Sequence, residues 1–171
     1  YTIDLFELSE KVEDMIREWN ERAVYEYAHN VKLMPYALEY LTKLKCCGVK
    51  LAVATGLPEE LFLPCLENNS IMEIFDVLCS TDEVKRGKEY PDVYELAAQR
   101  LGVEPQHCLV FEDVFPAVKS AKQDGMLVCA VYDKYSARHR GQMEQIADIY
   151  LTDFRRAPLT DVFCDKSTFD I

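Results

Sequence analysis

CLVFEDVFPAVKSAKQDGM, residues 108–126, holds the transition that decides the fold. Its apolar opening, Cys108 to Phe111, reads as a strand that stops at two adjacent carboxylates, Glu112 and Asp113. A helical pattern follows, with Ala117, Val118 and Ala121 on one face and Gly125 where a helix ends. Strand, acidic turn, helix is the resulting order. In an open parallel sheet, groups just past the carboxyl end of a strand face the crevice where ligands bind, so the acidic pair stands where chemistry is usually done. Neighbouring carboxylates repel each other unless a cation lies between them or one stays protonated, and a hard divalent ion such as Mg²⁺ is the natural partner. The same dipeptide also complements a helix dipole and caps free N–H groups, and these residues alone leave both readings open.

The pattern repeats in both directions from this stretch. Upstream, VKLAVATG (49–56) reads as a strand ending at Thr55 and Gly56, followed by Pro58 and a helix to about Asn69. FDVLCS (75–80) is a further strand, PDVYELAAQRLG (91–102) a helix, and HCLVF (107–111) the strand before the acids. Downstream, MLVCAVYD (126–133) is strand-like, residues 136–147 are helical, and DIYL (148–151) suits a short edge strand. A helix opening at Pro35 and closing at Gly48 precedes them all, and residues 7–30 carry apolar residues at helical spacing, as one long helix or two. The last twenty residues lack periodicity and are expected on the surface. Strands alternating with helices of about ten residues mean βαβ units, hence an α/β fold with a three-layer, Rossmann-like parallel sheet.

Length and charge narrow the function. At 171 residues the chain has the size of one domain. Its net charge of -11 and lack of any basic run argue against nucleic acid. A single small phosphate needs only a local lysine and backbone N–H groups. The seven cysteines are scattered, mostly inside apolar runs and without a CxxC pair, so buried thiols and a reducing cytoplasm are expected. No apolar run approaches the roughly 20 residues that span a bilayer.

Three polar sites fall at matching places: Thr55 with Gly56 at the end of one strand, Lys88 in the loop GKEYPD before a helix, and Glu112 with Asp113 at the end of another. Hydroxyl, exposed N–H groups, ammonium and a metal-binding acidic pair together suit a phosphate. Singly, Thr55 also fits as a helix cap, Lys88 as a solvated lysine and the acids as caps. Jointly these alternatives lose ground, because unrelated surface residues have no reason to end successive strands in this order.

In order and spacing, VATG, GKEYPD and FEDVFPAVKSAKQDGM resemble the second, third and fourth motifs of the haloacid dehalogenase-like hydrolases. The similarity is to the branch with a helical cap near the N-terminus, which includes small-molecule phosphatases and β-phosphoglucomutase, and it covers roughly residues 34–152. It implies that Thr55 and Gly56 bind the transferred phosphoryl group, that Lys88 holds it while steadying the nucleophile, and that Glu112 and Asp113 position Mg²⁺. It also makes residues 1–32 part of the cap and residues 33–171 the α/β core. The substrate implied is a small phosphorylated metabolite.

Several residues depart from the family pattern. Val114 and Ala117 replace the usual Ser and Gly, Pro116 removes an N–H close to the site, and Gly56 replaces a small polar residue. One absence is larger. The family begins with a strand ending in DxDGT, whose first Asp is the nucleophile and whose second is the general acid and base, and no DxD occurs in this sequence. The strand that bears it would lie between 49–54 and 107–111, leaving two open edges. A piece of a longer enzyme, a subunit completed by another polypeptide, and a relative without catalysis are all consistent with that. The rival function is a non-catalytic module binding phosphate or a partner. A response-regulator receiver has the reverse motif order, a dehalogenase works without Mg²⁺, and no GxGxxG marks a dinucleotide site. Substrate choice from this chain would fall to Tyr25, Glu26, His29 and Lys32, which equally suit the solvated face of a helix.

Overall fold

A computed structural model describes residues 11–158. The first helix, α1, runs Val12–His29 as a single element, and α2 covers Ala37–Cys46. Then come β1 (Ala52–Thr55), α3 (Glu59–Asn68), β2 (Val77–Ser80), α4 (Asp92–Leu101) and β3 (Leu109–Glu112). They are followed by α5 (Phe115–Gln123), β4 (Leu127–Val131), α6 (Arg140–Ile146) and β5 (Ile149–Leu151). All strand pairs are parallel, which is what strands linked through helices require.

Alternation along the strands builds the three layers. Ala52 and Ala54 of β1, Val110 of β3, and Val128 and Ala130 of β4 pack against α4, α5 and α6 around Val93, Val118 and Met143. On the other face Leu109, Phe111 and Cys129 pack under α2 against Tyr40 and Leu44, and Val53 and Leu78 pack under α3 against Phe62 and Leu66. Residues at i and i+2 thus serve one face and residues at i+1 the other. Gly48, Gly102 and Gly125 stop α2, α4 and α5 with φ of 78°, 66° and 86°, a conformation that costs glycine little.

The strands form two sheets, β1–β2 and β3–β4–β5. Among the described residues no ladder joins β1 to β3. Between them lies a cleft of about 940 Å³, lined on one side by Ala52 and Ala54 and on the other by Leu109 through Glu112. Among the described residues both facing edges therefore lack a ladder partner, whereas β4 is paired on both sides.

Several expectations need correction. Pro35 precedes α2 in a turn, and the helix starts only after Tyr36, whose left-handed φ of 66° is not helical. Glu112 is the last residue of β3 rather than the first beyond it. Of the described cysteines only Cys79 and Cys129 are buried, while Cys46 and Cys47 are exposed because they close the solvent side of α2. Cys164 lies outside the described residues. Part of the C-terminal stretch belongs to the core: Phe154 packs beside Tyr40 and Phe111, Ala157 is buried, and the Tyr40 hydroxyl donates to the Pro158 carbonyl at 3.0 Å.

Candidate active site

Thr55 closes β1 directly opposite Ser80 of β2. Its Oγ1 accepts from the Leu57 N–H at 3.1 Å, which folds the chain back immediately after the strand. The threonine thus caps this turn, not α3, whose preceding residue Pro58 supplies no side-chain cap. The buried Ser80 hydroxyl donates to the Leu57 carbonyl at 2.7 Å and holds the loop from its other side. Gly56 faces Lys88 across the gap: a Cβ at Gly56 would stand 3.8 Å from Lys88 Cδ, an ordinary contact.

Lys88 sits in the loop between β2 and α4. Its carbonyl accepts from the buried Ser120 hydroxyl of α5 at 2.6 Å, so the backbone of this loop is tied to the core. Arg86 pairs with Asp92 at the start of α4 and lies over the Tyr90 ring, which fixes the outer part of the same loop. The Lys88 ammonium reaches inward to Glu112 Oε1, with Lys88 25% exposed and Glu112 only 5%. A buried carboxylate needs such a cation, because its lost hydration is otherwise uncompensated. Asp113 follows at the surface, and no hydrogen bond to its carboxylate occurs among the described residues.

Lys88, Gly56 and Glu112 are therefore brought together at the carboxyl ends of β1 and β3, with Thr55 and Asp113 beside them in the chain. A residue the sequence did not single out joins them. The Tyr94 hydroxyl donates to Glu112 Oε1 at 2.8 Å, and Lys88 Nζ lies 5.5 Å from the centre of the Tyr94 ring. Burial first, and then the neighbouring Glu112 carboxylate, push the Tyr94 phenol far above its usual range, so it remains a donor. A tyrosine on the inward face of a helix otherwise lined by Val93, Ala97 and Ala98 is the signal for such a partner, since a buried phenol requires one.

The donor set suits a hard cation. Mg²⁺ is commonly held by one or two carboxylates together with substrate phosphates and water, and Glu112 and Asp113 supply two carboxylates. Among the described residues no group of three or more His, Cys, Asp or Glu is assembled. No described helix is long and apolar enough to cross a membrane. Tyr25, Glu26, His29 and Lys32 lie far from the acid pair in sequence, on α1 and just beyond its end. Tyr25 stacks on His29 at 4.6 Å, Glu26 accepts from Asn30 and Lys32 donates to the His29 carbonyl, the pattern of a solvated face. His139 stacks on Phe115, and no metal set includes His29, His107 or His139 among the described residues.

Comparison with known proteins bears on this arrangement. Residues 2–131 match the family described as haloacid dehalogenase-like hydrolase. A phosphorylated carbohydrates phosphatase of Thermotoga maritima is 32% identical over 124 residues, covering 72% of this chain and 57% of that protein. The protein CbbY of Rhodobacter capsulatus is 31% identical over 151 residues, covering 86% of this chain and 65% of that protein. The crystal structure of CbbY from Rhodobacter sphaeroides in complex with phosphate superposes with a TM-score of 0.74 at 27% identity, covering 87% of this chain and 67% of that one. The chain thus spans less than two-thirds of the length of the two curated relatives.

Proposed function

The chain belongs to the haloacid dehalogenase-like hydrolases, and from that premise we propose that it is the greater part of a Mg²⁺-dependent phosphatase or phosphomutase acting on a small phosphorylated carbohydrate. The observation that carries the reading is the meeting of the Lys88 ammonium with Glu112 at the strand ends that also present Thr55 and Gly56. Similarity to a phosphatase of phosphorylated carbohydrates supports the substrate class.

In this reading the phosphoryl oxygens rest on the Thr55 hydroxyl and the N–H groups of the turn after β1, while Lys88 offsets their charge. Glu112 and Asp113 would hold Mg²⁺, which when bound would supply further positive charge beside the phosphoryl oxygens. The attacking group is an aspartate carboxylate from outside this chain. Its oxygen bonds to phosphorus as the ester P–O bond breaks, and the departing oxygen takes up a proton. Water then hydrolyses the aspartyl-phosphate in a phosphatase, or a second sugar hydroxyl accepts the group in a mutase. The strand bearing that aspartate occupies the cleft between β1 and β3, where two open edges offer backbone partners for one parallel strand. α1, which has no buried residue and packs mainly on α3 among the described elements, is the remaining part of a helical cap, with residues 33–171 as the core. The unpaired thiols of Cys79 and Cys129 fit a reducing cytoplasm.

Because the sequence holds no DxD, a second reading is that this chain binds phosphate or a partner without turnover. Phosphate release from a panel of phosphorylated sugars separates the two. The proposal expects Mg²⁺-dependent release by the intact protein that is lost in Lys88→Ala. Release that Lys88→Ala leaves unchanged contradicts it. Mg²⁺ and phosphate binding with no release by the intact protein supports the second reading.

A further inference from the structure

We propose that Tyr94 is a positioning residue that sets Glu112 and Lys88 relative to each other through two different parts of one side chain. The inference deepens the proposed function, and it rests on Glu112 holding the divalent cation. Tyr94 is 3% exposed. It stands in the first turn of α4, between Val93 and Ala97, both of which are buried in the main core cluster. The ring therefore has little room to move. Its hydroxyl bonds Glu112 Oε1 at 2.8 Å, and its face lies 5.5 Å from Lys88 Nζ, within the range of a cation–π contact.

Both side-chain partners of Glu112, one an ion pair and one a hydrogen bond, approach the same oxygen. Lys88 and the Tyr94 hydroxyl meet Oε1, and no described residue hydrogen-bonds Oε2. Two donors on one oxygen fix the rotation of the carboxylate and leave the other oxygen for a ligand from outside the protein. Lysine alone is a poor device for this, since an ammonium on a four-carbon stem is a point charge with no preferred direction. The phenol supplies the missing direction, and the ring keeps the ammonium at the site while the other Glu112 oxygen takes a ligand. Tyr94 touches neither phosphate nor metal in this account. Its role is to hold the two groups that do.

The hydroxyl and the ring separate cleanly in Tyr94→Phe, which keeps the ring and its packing. Isothermal titration of the intact protein with Mg²⁺ in the presence of inorganic phosphate, and with inorganic phosphate alone, reads the two functions apart. Groups that orient metal-binding carboxylates typically contribute 10- to 100-fold in affinity, so Tyr94→Phe is expected to weaken Mg²⁺ binding at least about tenfold. Phosphate binding without Mg²⁺ is expected to stay within about twofold, because the cation–π support of Lys88 remains. Glu112→Gln is the reference and should weaken Mg²⁺ binding at least as much. If Glu112→Gln weakens Mg²⁺ binding and Tyr94→Phe does not, the positioning role is overturned and the proposed function stands. If both ligands weaken equally in Tyr94→Phe, the role is packing, and the inference is again overturned. If Glu112→Gln leaves Mg²⁺ binding intact, the metal assignment under the proposed function fails and the positioning role fails with it.

Discussion

The two sides of β3 differ. Toward β4 and β5 the sheet is continuous: β4 is paired along both edges, and Val128, Cys129 and Ala130 have no exposed surface. Toward β1 it stops at a cleft, and the groups proposed to handle phosphate stand at the end of that cleft. The closed side offers packing and no chemistry. The open side offers backbone groups without ladder partners among the described residues, and charged groups held in place by buried hydroxyls. Stability and reactivity thus lie on opposite sides of one strand, and substitutions on the two sides should fail differently.

The largest effect is expected on the closed side. Met143 of α6 is fully buried against the core of β4, so Met143→Ala should lower the unfolding free energy by about 2–5 kcal/mol, measured by denaturant titration. A loss below about 1 kcal/mol would show that this side is looser than its packing indicates. On the open side, Lys88→Ala should reduce phosphate release about 10²–10³-fold, the scale on which one positioned charge or donor contributes to a transition state. Because this also leaves the buried Glu112 without its cation, stability is compared in Lys88→Ala/Glu112→Gln, which removes the uncompensated charge and should melt far closer to wild type than Met143→Ala. A double variant that melts as low as Met143→Ala would erase the division between the sides.

Smaller effects sharpen the same contrast. Asp76 bonds Lys45 at 2.6 Å and the Leu51 N–H at 2.8 Å, anchoring the segment that enters β1. Lys45 first, and then that N–H, hold its carboxyl below the usual carboxylate range. A carboxylate more acidic in the folded than in the unfolded state stabilises fully above the unfolded value of about 3.9, and the contribution is lost as pH falls through the folded value. For this exposed pair the loss should be about 0.2–1 kcal/mol, seen as a difference between wild type and Asp76→Asn that shrinks below about pH 4. The smallest effect is expected in α1. Trp19 is 56% exposed, so Trp19→Ala should cost less than about 0.5 kcal/mol in a melting experiment. A larger cost would mean that its face is covered in solution.

Most of the fold was legible because its signals are local. Apolar runs of four or five residues, glycines at helix ends and helical spacing between them fix the element order of an α/β sheet. The meeting of Lys88 with Glu112 beside Gly56 was legible for a related reason, since strand ends in such a sheet converge. What depends on contacts distant in sequence was not. Tyr94 meets Glu112 across 18 positions and Ser120 meets Lys88 across 32, and no periodicity encodes such a pairing. Tyr36 takes a left-handed φ that delays α2 beyond Pro35, a strain the surrounding fold imposes. Phe154 and Ala157 join the core from a stretch without periodicity, because isolated residues can fill gaps without forming an element.

The central claim is that Thr55, Gly56, Lys88, Glu112 and Asp113 act together on a phosphoryl group at the open end of the cleft. Amide resonances of the isotopically labelled protein, followed while Mg²⁺ and inorganic phosphate are added, test this most directly. The account predicts that Gly56, Lys88 and Asp113 shift together, that the strands β4 and β5 stay still, and that Lys88→Ala abolishes the phosphate-dependent part. Shifts confined to another surface, or a response at these residues that survives Lys88→Ala, would contradict it.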